Sequence, residues 1–519
     1  MKKALVTAAV LVCLGPVLGI PANEGPLQSI ELKSGLDASN YRVSYFYGRD
    51  EADWITDVPA GEAVLRHHVR DVLAPLALAH SSWLGGRADD WGIEIAANAT
   101  GIYIAGMTKS MNFPPHTAAK PRNDAFVTKL SPDGKRLVYT AFFPVALRAY
   151  ELGLAVDDKG SAYLAGNTQS RLFPIKNAFQ PTIGGGQDGF ILKIYPSGKG
   201  LIYSSYLGGA REDCCCGLVL GPDGVAHPGG YTMSSDFPVV EPFQDRLRGK
   251  MDAFVARVSA DGKTLLASTY LGGTGADWCR DVALDSSGGV YAVGYSTSRD
   301  FPVKNGVQMA FGGNQDAFVT KFPPADLSRL SYSTYLGGGS KDDGYGIAVD
   351  DAGAAYAVGY TAGQFPVKNA FQSARKGSTE AFVAKIDPKG KSLVYSTYLG
   401  GGAGDIGSDV RVDAAGAAYV VGFTRSRDFP FRNAYQSVMK GSSDAFLTVF
   451  RPDGKRLQES TFLGGVYSEQ GVGIALDAEG NILLTGQTES PDFPSAWAFQ
   501  NKLAGGLDAF VVKFKRGDD

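Results

Sequence analysis

Carboxylates recur along this chain at one spacing. Four residues beyond the second glycine of each Leu-Gly-Gly stand Asp90, Asp213, Asp277, Asp342, Asp405 and Glu469. One copy lacks the acid: Ala149 occupies the aligned place, with Glu151 nearby. A ring of such groups offers the hard oxygen donors that Ca²⁺ binds. The competing chemistry is local, because Asp accepts hydrogen bonds from glycine-rich backbone in its own turn. Equivalent acids spread around an axis fall outside a coordination shell of about 2.3–2.6 Å, which favours the turn reading and leaves Ca²⁺ as the alternative cofactor.

A second cluster is thiol-rich. Cys214-Cys215-Cys216 replaces the residues that follow the acid in other copies, Cys279 aligns with Cys215 one copy later, and His227-Pro228 stands where another copy has Tyr356-Ala357. In an exported protein an even number of clustered cysteines favours oxidation. Strand periodicity points Cys214 and Cys216 to one side and Cys215 to the other, making Cys279 the expected disulfide partner of Cys214 or Cys216. Free buried thiols are one alternative. A metal site of Cys214, Cys216 and His227 is another, although the spacing is not that of a zinc module.

Catalytic chemistry finds less support. Of His67, His68, His80, His116 and His227, only His227 falls deep in an expected strand. No nucleophile-elbow motif accompanies them. The glycine-rich turns join strands rather than open helices, which excludes a phosphate loop or dinucleotide fingerprint. No catalytic residue is assigned.

The elements that must hold these residues are repeats. Phe126, Phe190, Phe254, Phe318, Phe382, Phe446 and Phe510 are 64 residues apart, each closing an Asp-Ala-Phe-like tripeptide. Phe-Pro recurs beside them, at Phe113, Phe173, Phe237, Phe301, Phe365, Phe429 and Phe493. One supersecondary unit is therefore copied seven times. The copy beginning at Asp343 divides into four strand-sized runs: Ile347–Val349, Ala355–Tyr360, Ala381–Ile386 and Ser392–Leu399. Turns of the Asp-Asp-Ala-Gly and Asp-Pro-Lys-Gly kind separate the first pair and the last pair. Four short antiparallel strands repeated seven times describe an all-β, seven-bladed β-propeller. The last copy stops after its third strand, Ala509–Phe514, while an orphan strand at Leu76–Leu84 precedes the first. That orphan is expected to complete the last blade and close the ring, removing open sheet edges. The seven phenylalanines are expected to form blade core, and Phe-Pro to anchor loops.

Tyr335-Leu336-Gly337-Gly338, the Gly-Ile-Ala-Val-Asp run from Gly346, the Val-Gly-Tyr-Thr run from Val358, Phe365-Pro366 and Ala381-Phe382-Val383-Ala384-Lys385 together resemble the bacterial seven-bladed β-propeller repeat, the SBBP repeat. The resemblance covers residues 76–515. It implies an exported or surface-associated bacterial protein without an established catalytic activity. Tyr45–Asp50 with Trp54–Pro59 resembles the tail of a β-rich module found ahead of such propellers.

Lys2 and Lys3 precede an apolar stretch, Ala4 to about Leu18, that ends in small residues at Gly19 or Ala22. This reads as a signal peptide over residues 1–22. Cys13 is preceded by Val12, too large for the usual lipoprotein signal. Residues 23–75 are expected to be an arm or the remnant of that module, 76–515 the propeller and 516–519 a tail. A net charge of −3 and a pI near 6.0 exclude a basic nucleic-acid footprint. No later segment has the apolar length of a membrane span.

The leading expectation is an exported non-catalytic propeller, extracellular, on the cell surface or periplasmic. It would be monomeric and would bind an extracellular protein or polysaccharide through its long-loop face. The alternatives are a carbohydrate-active hydrolase or lyase and a calcium-stabilised surface scaffold. An asymmetric cleft of paired carboxylates would favour the enzyme.

Overall fold

A computed structural model of the chain describes residues 76–115, 124–145 and 151–516. The expected signal peptide and arm, Ala149, His67, His68 and His116 lie outside the described residues. The unit Pro75–Arg516 contains seven sheets of four antiparallel strands. The copy read from Asp343 folds as strands Asp342–Val349, Ala355–Thr361, Glu380–Ile386 and Leu393–Leu399. The first strand of each blade lines the axis and meets the first strands of both neighbouring blades, so the seven sheets form a closed ring.

Closure follows the expected route. Strand Ala77–Leu84 pairs antiparallel with Asp508–Lys515, aligning Ser82 with Val511 and Leu84 with Ala509. The seventh blade thus takes its outermost strand from the front of the propeller segment and its other three from the back. Trp83 and Leu84 are buried there, with Trp83 edge-on to Phe493 at 6.2 Å between ring centres.

The two phenylalanine motifs meet inside every blade. All seven Asp-Ala-Phe rings are fully buried, and each Phe-Pro ring lies 4.3–4.8 Å from the one in its own blade. Each core ring sits across from a glycine of the second strand, as Phe382 does from Gly359. The glycine is required by close approach: a Cβ on Gly359 would lie 1.9 Å from the Asp343 carbonyl oxygen. Burying an aromatic of this size contributes roughly 1.5–3 kcal/mol.

The long loops do more than decorate one face. After Phe-Pro, each described loop folds over the outer edge of its blade and pairs with the outermost strand, as in Lys176 with Ser204, Lys368 with Ser396 and Arg432 with Ser460. This covers an edge that would otherwise be open to pairing with another chain. The next residue is left-handed: Asn177, Asn305, Asn369 and Asn433 have φ near +50°, a conformation that asparagine tolerates. In the last blade Trp497 takes that position at φ +50°, and it is 72% exposed.

Candidate functional site

Each acid of the expected ring opens the innermost strand of its blade and is fully buried. One oxygen of each is engaged by its own turn. The second glycine of each Leu-Gly-Gly donates its N–H to the acid, from Gly86 to Asp90 (2.6 Å), Gly209 to Asp213 (2.7 Å), Gly273 to Asp277 (2.8 Å), Gly338 to Asp342 (2.8 Å), Gly401 to Asp405 (2.9 Å) and Gly465 to Glu469 (2.9 Å). Serine hydroxyls add a second donor at Asp90, Asp213, Asp277 and Asp405. The arrangement favours a turn lock over a shared cation. Burial, opposed by these hydrogen bonds, lifts the Asp90 carboxyl to about 7 and those of Asp213, Asp277 and Asp342 to about 6.

The cysteines sit differently from expectation. All four are free and buried. Cys279 packs with Ala253, Val255 and Val282 between blades three and four, and Cys215 occupies the equivalent gap between blades two and three, beside Gly189. Cys214 and Cys216 instead share a separate cluster with Tyr231 and Trp278, their Sγ atoms 3.4 Å apart. The expected pairing of Cys279 with either of them does not form: Cys214 and Cys216 share one side and Cys215 the other, as alternation requires, but the shared side faces Glu151, Tyr231 and Trp278 and not the inter-blade gap that holds Cys279. His227 is also removed from the thiols. It aligns across the sheet with Val219 while Cys214 aligns with Tyr231, four residues along the strand. Burial, then the nearby Arg257, pushes the His227 imidazole down to about 4. Sequence periodicity also underrated His80, which is fully buried in the closing strand.

A β-bulge between Cys215 and Gly217 lies beside an asymmetric polar cluster at the mouth of the axial channel. The same register shift occurs in six innermost strands and makes Ile93, Cys216, Arg280, Tyr345, Ser408 and Val472 the bulged residues. Arg280 of blade four donates to Glu151 Oε1 of blade two (2.5 Å) and to Asp343 Oδ2 of blade five (3.1 Å). Its guanidinium lies 4.5 Å from the Trp278 ring centre and 4.7 Å from that of Tyr345. Such cation–π contacts contribute about 0.5–2 kcal/mol each. Glu151 Oε2 accepts from Cys216 Sγ at 3.1 Å and lies 3.9 Å from Cys214 Sγ. Asn167 Nδ2 and Trp278 Nε1 donate to Cys214 Sγ and Cys216 Sγ, each at 3.3 Å. Glu151 and the cysteines are legible in the sequence as breaks in the repeat. Arg280 and Asp343 are missed, although both stand at positions where the copies disagree.

Deeper along the axis lies a cavity of about 300 Å³. Glu94, Asp281 and Arg411 face it, and Asp409 pairs with Arg411 at 2.7 Å. Glu94, Asp281 and Asp409 occupy a repeat position that is glycine elsewhere, at Gly153, Gly217, Gly346 and Gly473. Burial, then the neighbouring Asp409, lifts the Asp281 carboxyl to about 7. Two of these acids also clasp blades together: Asp281 accepts the N–H of Ile347 (3.0 Å) and Asp409 that of Ile474 (3.1 Å), each in the next blade.

The sequence profile of the SBBP family, a beta-propeller repeat, matches residues 268–302 and 331–366. No curated protein matches the chain. Among solved structures, a protein of unknown function from Dyadobacter fermentans is 13% identical, with a TM-score of 0.41, covering 85% of this chain and 100% of that one. A quinohemoprotein alcohol dehydrogenase from Pseudomonas putida HK5 is 10% identical, with a TM-score of 0.39, covering 86% and 77%. BamB from Moraxella catarrhalis is 9% identical, with a TM-score of 0.36, covering 84% and 99%. The profile match spans two of the seven blades, and the chain as a whole folds as a seven-bladed β-propeller that carries the SBBP-type repeat in those blades.

Proposed function

We propose that this chain is an exported, non-catalytic propeller that binds a protein or polysaccharide partner through its long loops. The observation that carries the reading is where large apolar side chains meet solvent. Leu172, Met309, Phe431, Val438, Tyr467 and Trp497 are 51–90% exposed, and all lie on second-to-third-strand loops or on inter-blade connections. The sixth blade and the connection leaving it are richest, with Phe431, Tyr435, Val438, Val466 and Tyr467. Ser442 N–H donates to the Tyr467 carbonyl (2.8 Å), which sets the end of one loop beside the next. Exposed large apolar side chains gathered on loops mark interaction sites, and loops on a rigid scaffold commonly carry them. Valines among the aromatics favour a protein over a sugar. Export rests on the Lys2-Lys3 and Ala4–Leu18 pattern, and the mass of the mature chain tests it.

The enzyme reading draws on the axial acids. Their oxygens serve neighbouring backbone and Arg411, which supports a structural role instead. A binding screen against surface proteins and a glycan array, run on the wild type and on a Phe431→Ser, Val438→Ser, Tyr467→Ser variant, tests the proposal. Saturable binding lost in the variant is expected. Binding that the variant retains in full, or turnover of a glycan, overturns it.

A further inference from the structure

We propose that Glu151, Cys214 and Cys216 form a site for a thiophilic divalent cation of the zinc class at the mouth of the axial channel. The three ligand atoms, Glu151 Oε2 and the two Sγ, are separated by 3.1, 3.4 and 3.9 Å. Zinc binds thiolate at about 2.3 Å and carboxylate at about 2.0–2.2 Å, so tetrahedral ligands stand about 3.5–3.8 Å apart. The triangle approximates one face of the tetrahedron, each edge within about 0.4 Å of that range, and the fourth position is left for water.

Six blades share the bulge, but only one places two thiols on it. Residues two apart on a regular strand place side chains about 6.5–7 Å from each other, too far to share an ion. The bulge at Cys216 removes that separation. The aligned pairs in other blades are Trp91 with Ile93, Trp278 with Arg280, Asp343 with Tyr345, Ile406 with Ser408 and Gln470 with Val472, and none could bind as two thiolates do.

A second set of contacts is arranged around the ligands. Asn167 Nδ2 and Trp278 Nε1 aim one N–H at each sulfur, the outer-shell support that stabilises thiolate. Arg280 engages Glu151 Oε1 and so turns Oε2 toward the sulfurs. Its positive charge is already countered by Glu151 and Asp343, so the two thiolates bring the cluster to a charge of −3, which a divalent ion reduces to −1. Glu151 retains 23% side-chain exposure, giving an ion access.

The test uses the full chain, reduced and stripped with chelator, then titrated with Cd²⁺ alone and in parallel with Zn²⁺ alone. The expected result is one tightly held ion per chain after gel filtration, with a thiolate-to-cadmium charge-transfer band. Binding should tighten with pH, because each thiol must lose its proton. Cys214→Ser and Cys216→Ser should abolish uptake. Glu151→Gln should weaken it about tenfold or more. Cys215→Ser and Cys279→Ser should retain it, and circular dichroism checks that each variant is folded. Absence of saturable uptake by the wild type overturns the proposal, as does uptake that survives in folded Cys214→Ser and Cys216→Ser.

Discussion

Replacing Trp83 by alanine tests ring closure at one side chain. Trp83 is 2% exposed and sits on the strand that supplies the seventh blade's outer edge. Removing a buried aromatic of this size costs about 3–5 kcal/mol through lost transfer free energy and the cavity left behind. The propeller unit, Pro75–Arg516, has about 440 residues, so an unfolding entropy of about 2.1 cal/mol/K per residue converts that loss into a fall in melting temperature of about 3–5 °C. Scanning calorimetry at one fixed rate is the assay, because large repeat proteins commonly unfold irreversibly and the midpoint then depends on rate. Val138→Ala, at a side chain 41% exposed, is the control and should leave the midpoint within about 0.5 °C. Deleting the chain through Leu84 should lower the midpoint further and promote aggregation, since it bares the edge of Asp508–Lys515. A Trp83→Ala midpoint equal to that of the wild type would refute closure by this strand.

Other consequences concern charge, backbone and metal. The buried acids with raised carboxyl pKa favour the protonated native state, so their contribution is present below about pH 4 and is lost as pH rises through about 6–7. Melting temperature should therefore rise from about pH 8 to about pH 5; a curve still climbing at pH 8 would contradict this assignment. Hydrogen bonds and Lys321, overcoming burial, hold Asp285 near 2, so acid below about pH 4 should begin to remove its opposite contribution. Trp497→Asn should stabilise the last blade by roughly 0.5–1 kcal/mol, by restoring the residue that four other blades use at this left-handed position. Equilibrium denaturation reads that gain. If the six acids lock turns, EDTA and added Ca²⁺ should both leave the melting temperature of the reduced, zinc-free protein unchanged; a calcium-dependent rise would restore the ring reading.

Within a blade, the sequence was a close guide. The strand at Ala381–Ile386 was read to within one residue of Glu380–Ile386, and the turn at Asp350-Asp351-Ala352-Gly353 forms with Gly353 at φ +84°. Such features depend on neighbours within a few residues, so periodicity and turn chemistry expose them. Closure was legible because it is a matter of counting strands. The cysteine pairing was not, since alternation puts Cys214 and Cys216 on one side without saying which neighbour that side faces, and it faces Glu151 and Trp278 while Cys279 packs in another gap.

The amino-acid sequence by itself determined the repeat, the four-stranded blade, the core phenylalanines and the strand that closes the ring, because those follow from local patterns repeated seven times. Only the tertiary structure decided the polar mouth of the axis. Glu151, Cys214, Arg280 and Asp343 come from four successive blades, with 63 to 129 positions between the bonded partners, and no local pattern links them. They meet because the ring brings the innermost strands together.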